Sequence, residues 1–487
     1  MFHIPILRNG KPYESVDKFD IVHHATGQPV ATLSQANSGM VGRDVARMDH
    51  HVLERFTVAD LMEMCRRAGK LFATADLPCG DESQSFEDYI RQLSATTGMP
   101  ISYCRSNAAK IQRIFMEIDT VIGGLTRGFP LEVLDKGHGQ VAGNTISFFR
   151  VANCLGAVLP SNSPGVHSLW IPAIALKTPL VLKPGREEPW SPYRIIQAFI
   201  AAGVPEEAFG FYPTDHGGAA ELLRCCERSM LFGGAETTKP YENDPRVELH
   251  GPGYSKIILG PDAADEWEKY LDIMASSISA NGGRSCINAS AVWTPKNGRA
   301  IAEALAERLA KVQALPADDP NAEIAAFANP KMAEMISASI DSLLKGGAVD
   351  LTEQKRGSPR LVQRGRLAWL LPTIIWIEPG GGSAGSADKL GDDPSWKHPL
   401  ANKEFLFPFA SVVECPADQI HESIGDTLIG TVISKDAAFV RKMSMCGDID
   451  RLNLGPIPTF QLSWDQPHEG NLFEHLYRQR AFQMVVA

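Results

Sequence analysis

The sequence predicts an α/β fold built on parallel sheets, and three observations carry that expectation. From about residue 139 onward, short β-branched apolar runs alternate with amphipathic stretches of about 10–15 residues, the pattern of βαβ units. The runs are punctuated by Gly and Pro, as strand ends are. The chain has 487 residues, 44% of them hydrophobic and 21% charged. That is enough for a large buried core and, as a length prior, about three domain-sized units.

Taken in order, residues 3–35 read as extended, broken by turns at Asn9-Gly10 and Gly27-Gln28. Residues 43–125 read as helical, with Val58–Cys65 placing its apolar residues at helical spacing. TISFFRVANCLGAVLP reads as strands, SLWIPAIAL as a helix and TPLVLKP as a buried strand. SPYRIIQAFIAAG reads as a helix capped by Ser191, with Pro192 at its first position and Gly203 closing it. The strand FGFYPT, the helix GGAAELLRCCE and the strands SMLFGG, RVELH and SKIILG follow. A second α/β stretch covers about 265–440, with the helix DEWEKYLDIMASSISA, the strand INASAVWT and the helix RAIAEALAERLAKVQ. Residues 378–398 are rich in Gly, Ser and Asp and read as a surface loop. The tail, 457–487, suits a strand that pairs with another segment or subunit. No internal repeat is evident.

The net charge of −10 argues against a nucleic-acid partner, which favours a basic face. The N-terminus lacks the basic and apolar regions of a signal peptide, and no apolar run is long enough for a membrane span. The nine cysteines are scattered and odd in number, which suits free thiols in a reducing compartment. A cytoplasmic location is expected, and no metal site, since no Cys/His cluster has zinc spacing.

Five segments carry candidate chemistry. Asn281-Gly282-Gly283-Arg284-Ser285-Cys286-Ile287-Asn288 places a thiol at a Gly-rich junction between helix and strand, where Arg284 would favour the thiolate. A small buried thiol is the other reading of Cys286. Pro160-Ser161-Asn162-Ser163-Pro164 fixes an Asn whose amide can stabilise an oxyanion, or which simply makes a turn. Lys183, Pro184 and Arg186 follow a buried strand, where α/β proteins bind ligands; Lys183 could equally be a solvated surface residue. Phe232-Gly233-Gly234 lets backbone approach a ligand, although no GxGxxG fingerprint is present. Glu404 opens the run Phe405-Leu406-Phe407-Pro408 and on its own reads as a strand-end charge.

In this order and spacing the segments resemble the aldehyde dehydrogenase superfamily, across about 140–440 and loosely at both ends. The resemblance implies a Rossmann-type cofactor domain (1–134 and 156–255), an α/β catalytic domain (256–445) and a small β oligomerisation arm (135–155 and 470–487). The arm would pair with a neighbour's Ala481–Val486, giving homodimers or homotetramers. Cys286 would attack the aldehyde and pass through a thiohemiacetal to a thioester, with Asn162 and the Cys286 N–H holding the oxyanion. Ser161, Lys183, Phe232, Gly233, Gly234 and Glu404 would bind NAD or NADP, Lys183 at the adenosine ribose and Glu404 at the nicotinamide ribose.

Three residues depart from the family pattern. Arg186 stands where the family has Glu and favours NADP, unless it pairs with Glu187 or Glu188. Arg284 and Phe407 replace the family's Gln and Gly and alter the expected nicotinamide pocket. Val247-Glu248-Leu249-His250-Gly251 resembles the segment that carries the hydrolytic base, making Glu248 the candidate. However, Gly251-Pro252-Gly253 and Leu176-Lys177-Thr178 also resemble the CoA-acylating branch, in which CoA is the co-substrate. In that alignment Glu248 lies one place out of register, on the opposite strand face. His250 could serve as a base in either alignment. A non-catalytic homologue that keeps the fold is the third reading, opposed by the presence of both Cys286 and Asn162.

Overall fold

The β-branched runs form two seven-stranded sheets. The computed structural model describes residues 2–379 and 394–484. The chain divides into two compact units, one of Met1–Thr97, Ile101–Gly251 and Ser463–Ala487, the other of Gly98–Pro100 and Pro252–Leu462.

In the first unit the sheet order is Val247–His250, Arg228–Phe232, Leu155–Val158, Leu180–Lys183, Phe209–Phe211, Ile6–Arg8, Lys11–Tyr13. The first five strands are parallel and the last two antiparallel. The strand Leu155–Val158, third in this order, is wholly buried, as expected for a strand covered on both faces. On one face Met40, Val41, Val45, Leu222 and Leu223 from the helices Ser38–Arg47 and His216–Cys225 pack on Val158, Val181, Leu231 and Val247. Gly156 permits that approach, since a Cβ there would lie 2.6 Å from Leu222 Cδ2.

Arg194, on the helix Trp190–Ala201, is buried among the Phe72, Phe86 and Tyr89 rings. Its guanidinium donates to the carbonyls of Phe72 (2.9 Å), Ala75 (2.7 Å) and Gln84 (2.8 Å). Two of these acceptors lie at the end of the helix Val58–Thr74, where carbonyls lack helical partners. Burial draws the Arg194 pKa down to about 10, which leaves it charged at neutral pH.

In the second unit the order is Ala348–Asp350, Thr373–Ile377, Phe409–Glu414, Ala291–Thr294, Lys256–Leu259, Thr427–Ile433, Ile449–Leu454. Only the first pair is antiparallel. Alternation divides the core. Ile257, Leu259 and Val292 face the helices Leu271–Ser279 and Gly298–Leu309, whereas Ile258, Trp293 and Val413 face Ala333, Ile340 and Phe439.

Two local expectations are corrected. SLWIPAIAL forms single 3₁₀ turns, Pro164–Leu169 and Ile171–Ala173, rather than an α-helix; Pro172 has no N–H to continue an α-helical ladder. The helix expected to start at Ser191 starts at Trp190. Glu188 Oε1, not the Ser191 hydroxyl, takes the first-turn N–H of Ser191 at 2.8 Å. The Ser191 hydroxyl instead bonds Tyr89 Oη at 2.7 Å. The helix ends at Ala201, and Gly203, just past its cap, turns the chain away with a φ of +102°.

At the C-terminus, Tyr477–Gln479 pairs with Phe148–Arg150 of its own chain, in an antiparallel sheet completed by His138–Val141. Residues 481–484 carry no strand. Residues 485 and 486 of the expected pairing segment, and 380–393 of the expected loop, lie outside the described residues. No helix among the described residues is long and apolar enough to cross a membrane.

Replacing Arg194 with Leu orphans three buried carbonyls and is expected to cost about 3–5 kcal/mol. The measurement is the urea midpoint at unchanged m-value; a midpoint within error of the parent would contradict this role for Arg194.

Candidate active site

In the first unit the predicted residues gather at the carboxyl ends of the parallel strands. Val158 pairs with both Lys183 and Leu231, and Phe232 pairs with His250. The loop bearing Ser161 and Asn162, the Lys183–Arg186 segment, Phe232-Gly233-Gly234 and Glu248 therefore share one end of this sheet, where ligands of open α/β sheets bind. Gly185 presses on the first loop, and a Cβ there would lie 2.4 Å from Ser161 Oγ. Ser161 Oγ in turn accepts the Glu187 N–H at 3.2 Å. Burial lowers the Lys183 pKa against the pull of Glu187. A Cβ on Gly234 would meet nothing within 4 Å, so backbone there is open to close approach.

Arg186 is exposed, its guanidinium 5.6 Å from the centroid of the Phe19 ring. Among the described residues it forms no ion pair with Glu187 or Glu188. Glu188 is buried and committed elsewhere, to His167 Nε2 at 2.8 Å and to the Ser191 N–H.

Glu248 and His250 alternate onto one face of their strand, while Leu249 packs with the hydrophobic cluster on the other. His250 Nε2 lies 3.0 Å from Glu248 Oε1, and its Nδ1 meets the Glu469 carboxylate. The imidazole stacks on Phe232, with centroids 4.3 Å apart. Burial raises the Glu248 pKa, but the hydrogen bond and charge of His250, with a contribution from His475, outweigh it. The net shift is downward, so Glu248 is held as a carboxylate.

In the second unit Cys286 sits, half-buried, on the segment leaving the helix Leu271–Ser279. The chain turns there through three consecutive positive-φ residues, Asn281, Gly282 and Gly283. A Cβ on Gly283 would lie 2.3 Å from the Pro408 nitrogen, so only glycine fits. Asn288 ties the turn together. Its amide donates to the carbonyls of Ser277 (3.1 Å) and Ala280 (2.9 Å), and its oxygen accepts the Ser285 N–H at 3.0 Å.

A second turn lies beneath the cysteine. A Cβ on Gly253 would lie 2.2 Å from the Cys286 carbonyl oxygen and 3.0 Å from Cys286 Cβ. The Ser255 hydroxyl donates to that same carbonyl at 2.8 Å. Glu404 also joins this arrangement. Its Oε2 accepts the N–H groups of Gly253 (3.0 Å) and Tyr254 (2.8 Å), so it grips the turn under the cysteine. Burial pushes the Glu404 pKa up to about 8, although both N–H groups and Lys256 pull it down. Phe407 faces the core with Phe405 and Phe409, so its bulk is taken up in packing.

Gly253 lies in the Gly251-Pro252-Gly253 motif and Asn288 in the cysteine segment of the sequence, but neither they nor Ser255 and Lys256 carry an expected site role. Pro252 beside Gly253 and the polar run at 254–256 were the available signals, but a polar residue opening a strand usually faces water.

Comparisons with known proteins bear on the family and the fold. Residues 12–377 match the family model described as "Aldehyde dehydrogenase family". A betaine aldehyde dehydrogenase of Vibrio vulnificus is 24% identical over 399 residues, covering 75% of this chain and 74% of that protein. A probable acylating methylmalonate-semialdehyde/malonate-semialdehyde dehydrogenase of Dictyostelium discoideum is 28% identical over 212 residues, covering 40% and 39%. Among solved structures, a betaine aldehyde dehydrogenase double mutant from Staphylococcus aureus, in complex with NAD+, superposes with a TM-score of 0.77 at 15% identity, covering 98% of this chain and 96% of that one. An NAD-dependent aldehyde dehydrogenase from Sinorhizobium meliloti gives 0.74 at 17% identity, covering 98% and 94%. With three-quarters of its length inside the family model, the chain belongs to the aldehyde dehydrogenase family.

Proposed function

We propose that the protein oxidises an aldehyde with NAD(P) through covalent attachment to Cys286 and releases the product by hydrolysis. The observation that carries this reading is the Cys286 backbone, fixed from below by Gly253 and the Ser255 hydroxyl and from behind by the Asn288-tied turn. A nucleophile held at one orientation avoids the entropic cost of finding it during the reaction.

The first unit is the proposed cofactor domain and the second carries the nucleophile. The residues at the strand ends fit a dinucleotide. Gly234 permits backbone approach, Lys183 offers an ammonium at a strand end, and Arg186 presents a cation free of carboxylate pairing among the described residues. When bound, NAD(P) supplies the hydride acceptor. Cys286 Sγ adds to the carbonyl carbon, and Asn162 with the Cys286 N–H stabilises the oxyanion. Glu248, held as a carboxylate beside His250, takes a proton from the water that cleaves the thioester. The NAD-complexed betaine aldehyde dehydrogenase structure supports dinucleotide use, and Arg186 favours NADP. The acylating Dictyostelium relative supports a second reading, in which CoA replaces water.

Cys286→Ala should abolish aldehyde-dependent reduction of either dinucleotide; turnover at the parent rate would remove the proposal. Glu248→Gln should retain a single-turnover burst of NAD(P)H while steady-state turnover falls about 100-fold, the loss of a general base. If added CoA is instead required for parent turnover and Glu248→Gln changes nothing, the acylating reading replaces the hydrolytic one. Arg186→Glu should lower kcat/KM for NADP about tenfold, one lost phosphate contact, with NAD altered far less. Equal effects on the two dinucleotides would count against a 2′-phosphate role.

A further inference from the structure

The turn that carries the Cys286 backbone is anchored by a charge the reaction scheme does not use. Lys256 opens the strand Lys256–Leu259 and is wholly buried. Its Nζ donates to the Tyr254 carbonyl (2.8 Å), the Asp426 carbonyl (3.0 Å) and the Thr427 hydroxyl (2.8 Å). These three oxygens account for all three donors of an ammonium. The first acceptor belongs to the turn itself, at a residue held in the left-handed region (φ +46°). The other two belong to the start of the neighbouring strand Thr427–Ile433. That strand makes further contacts with the turn. The Leu428 N–H donates to the Gly253 carbonyl at 2.7 Å, and the Ile429 N–H donates to Ser255 Oγ at 3.2 Å. The Ser255 hydroxyl in turn donates a hydrogen bond to the Cys286 carbonyl. Every link from Lys256 to the cysteine backbone is a hydrogen bond or a packed glycine.

We infer that Lys256 is a positioning residue for the nucleophile, its buried ammonium drawing the 253–255 turn against the strand at 427 and so setting the orientation of Cys286. The inference rests on Cys286 being the nucleophile. An apolar side chain of similar length would leave three oxygens unpaired and the left-handed turn without its anchor. A charge is costly to bury, and the groups facing it are Glu404 from the segment before the strand Phe409–Glu414, Asp426 and Thr427, Asp448 before the strand Ile449–Leu454, and Tyr254 of the turn. Burial lowers the Lys256 pKa to about 7, opposed by Asp426, Glu404 and Asp448. Below that pH the ammonium holds all three oxygens; as pH rises through it, the charge and one donor are lost and the turn loosens.

The test is the pH dependence of kcat for the intact enzyme with saturating aldehyde and dinucleotide. The parent should lose kcat on the alkaline side with an inflection near pH 7. Thr427→Val removes one acceptor, disfavours the ammonium, and should move that inflection to lower pH by about one pH unit. Lys256→Met should abolish the inflection and lower kcat about tenfold, the scale of a misplaced nucleophile, with KM for the aldehyde within about twofold. Thr427→Val keeps the test decisive if Lys256→Met does not fold. A purely structural lysine would lower the unfolding midpoint and leave the inflection where it was, and that result overturns the inference. Cys286→Ala serves as the control. If it retains activity, the reading of the nucleophile has failed. If it is inactive while the Thr427→Val profile matches the parent, only the role of Lys256 has failed.

Discussion

The arrangement in the second unit depends on one close approach, the backbone of residue 253 against the carbonyl of Cys286. At 2.2 Å no Cβ can be accommodated, so the contact exists only because residue 253 is glycine. Glycine also permits the greatest freedom in the unfolded chain, and a turn containing it is not rigid by itself. Rigidity has to come from the flanking residues. Glu404 takes the two N–H groups of the turn and Lys256 takes its carbonyl. A buried carboxyl and a buried amine thus hold one turn from its donor side and its acceptor side.

That solution is costly. An ion removed from water loses several kcal/mol of hydration even after relaxation, and both groups show it, Glu404 with its pKa pushed up to about 8 and Lys256 with its pKa pushed down to about 7. Their hydrogen bonds offset part of this, at about 1.5–3 kcal/mol each when one partner is charged. An apolar pair would avoid that desolvation, but would leave the Gly253 and Tyr254 N–H groups and the three oxygens around Lys256 unpaired. What an apolar pair cannot do is choose one orientation for a peptide, because dispersion contacts are not directional. The charges make sense as a means of fixing orientation.

The sequence made the sheets legible because their signal is dense. Leu180–Lys183, Arg228–Phe232 and Ala291–Thr294 are continuous apolar runs ended by Gly, Pro or polar residues, and fully covered strands have that composition. The Cys286 junction was legible for a similar reason, since Gly282 and Gly283 beside it announce an irregular backbone. Single side-chain choices were not. Ser191 met every sequence criterion for a cap, but Glu188 is longer, reaches the same N–H, and leaves Ser191 for Tyr89. Likewise Glu404 has its partners about 150 residues away in sequence. No local pattern encodes that pairing. Lys256 was hidden by its type, because lysine is among the residues least often fully buried.

The strand Val247–His250 shows where structure adds what alignment cannot. Sliding the sequence by one residue exchanges Glu248 for Leu249 at the register of the base, and each alignment has a motif in its favour. A strand has only two faces. Leu249 lies on the face occupied by the hydrophobic cluster, and Glu248 and His250 share the other with Glu469. The choice is therefore between two faces, of which only one carries groups able to accept a proton. His250, stacked on Phe232 and in contact with a carboxylate on each side, favours the ionised form of Glu248 in whichever alignment is adopted. A lowered pKa keeps Glu248 ionised but also makes it a weaker base, so the contact with His250 fixes the charge state of this carboxyl and not the release step.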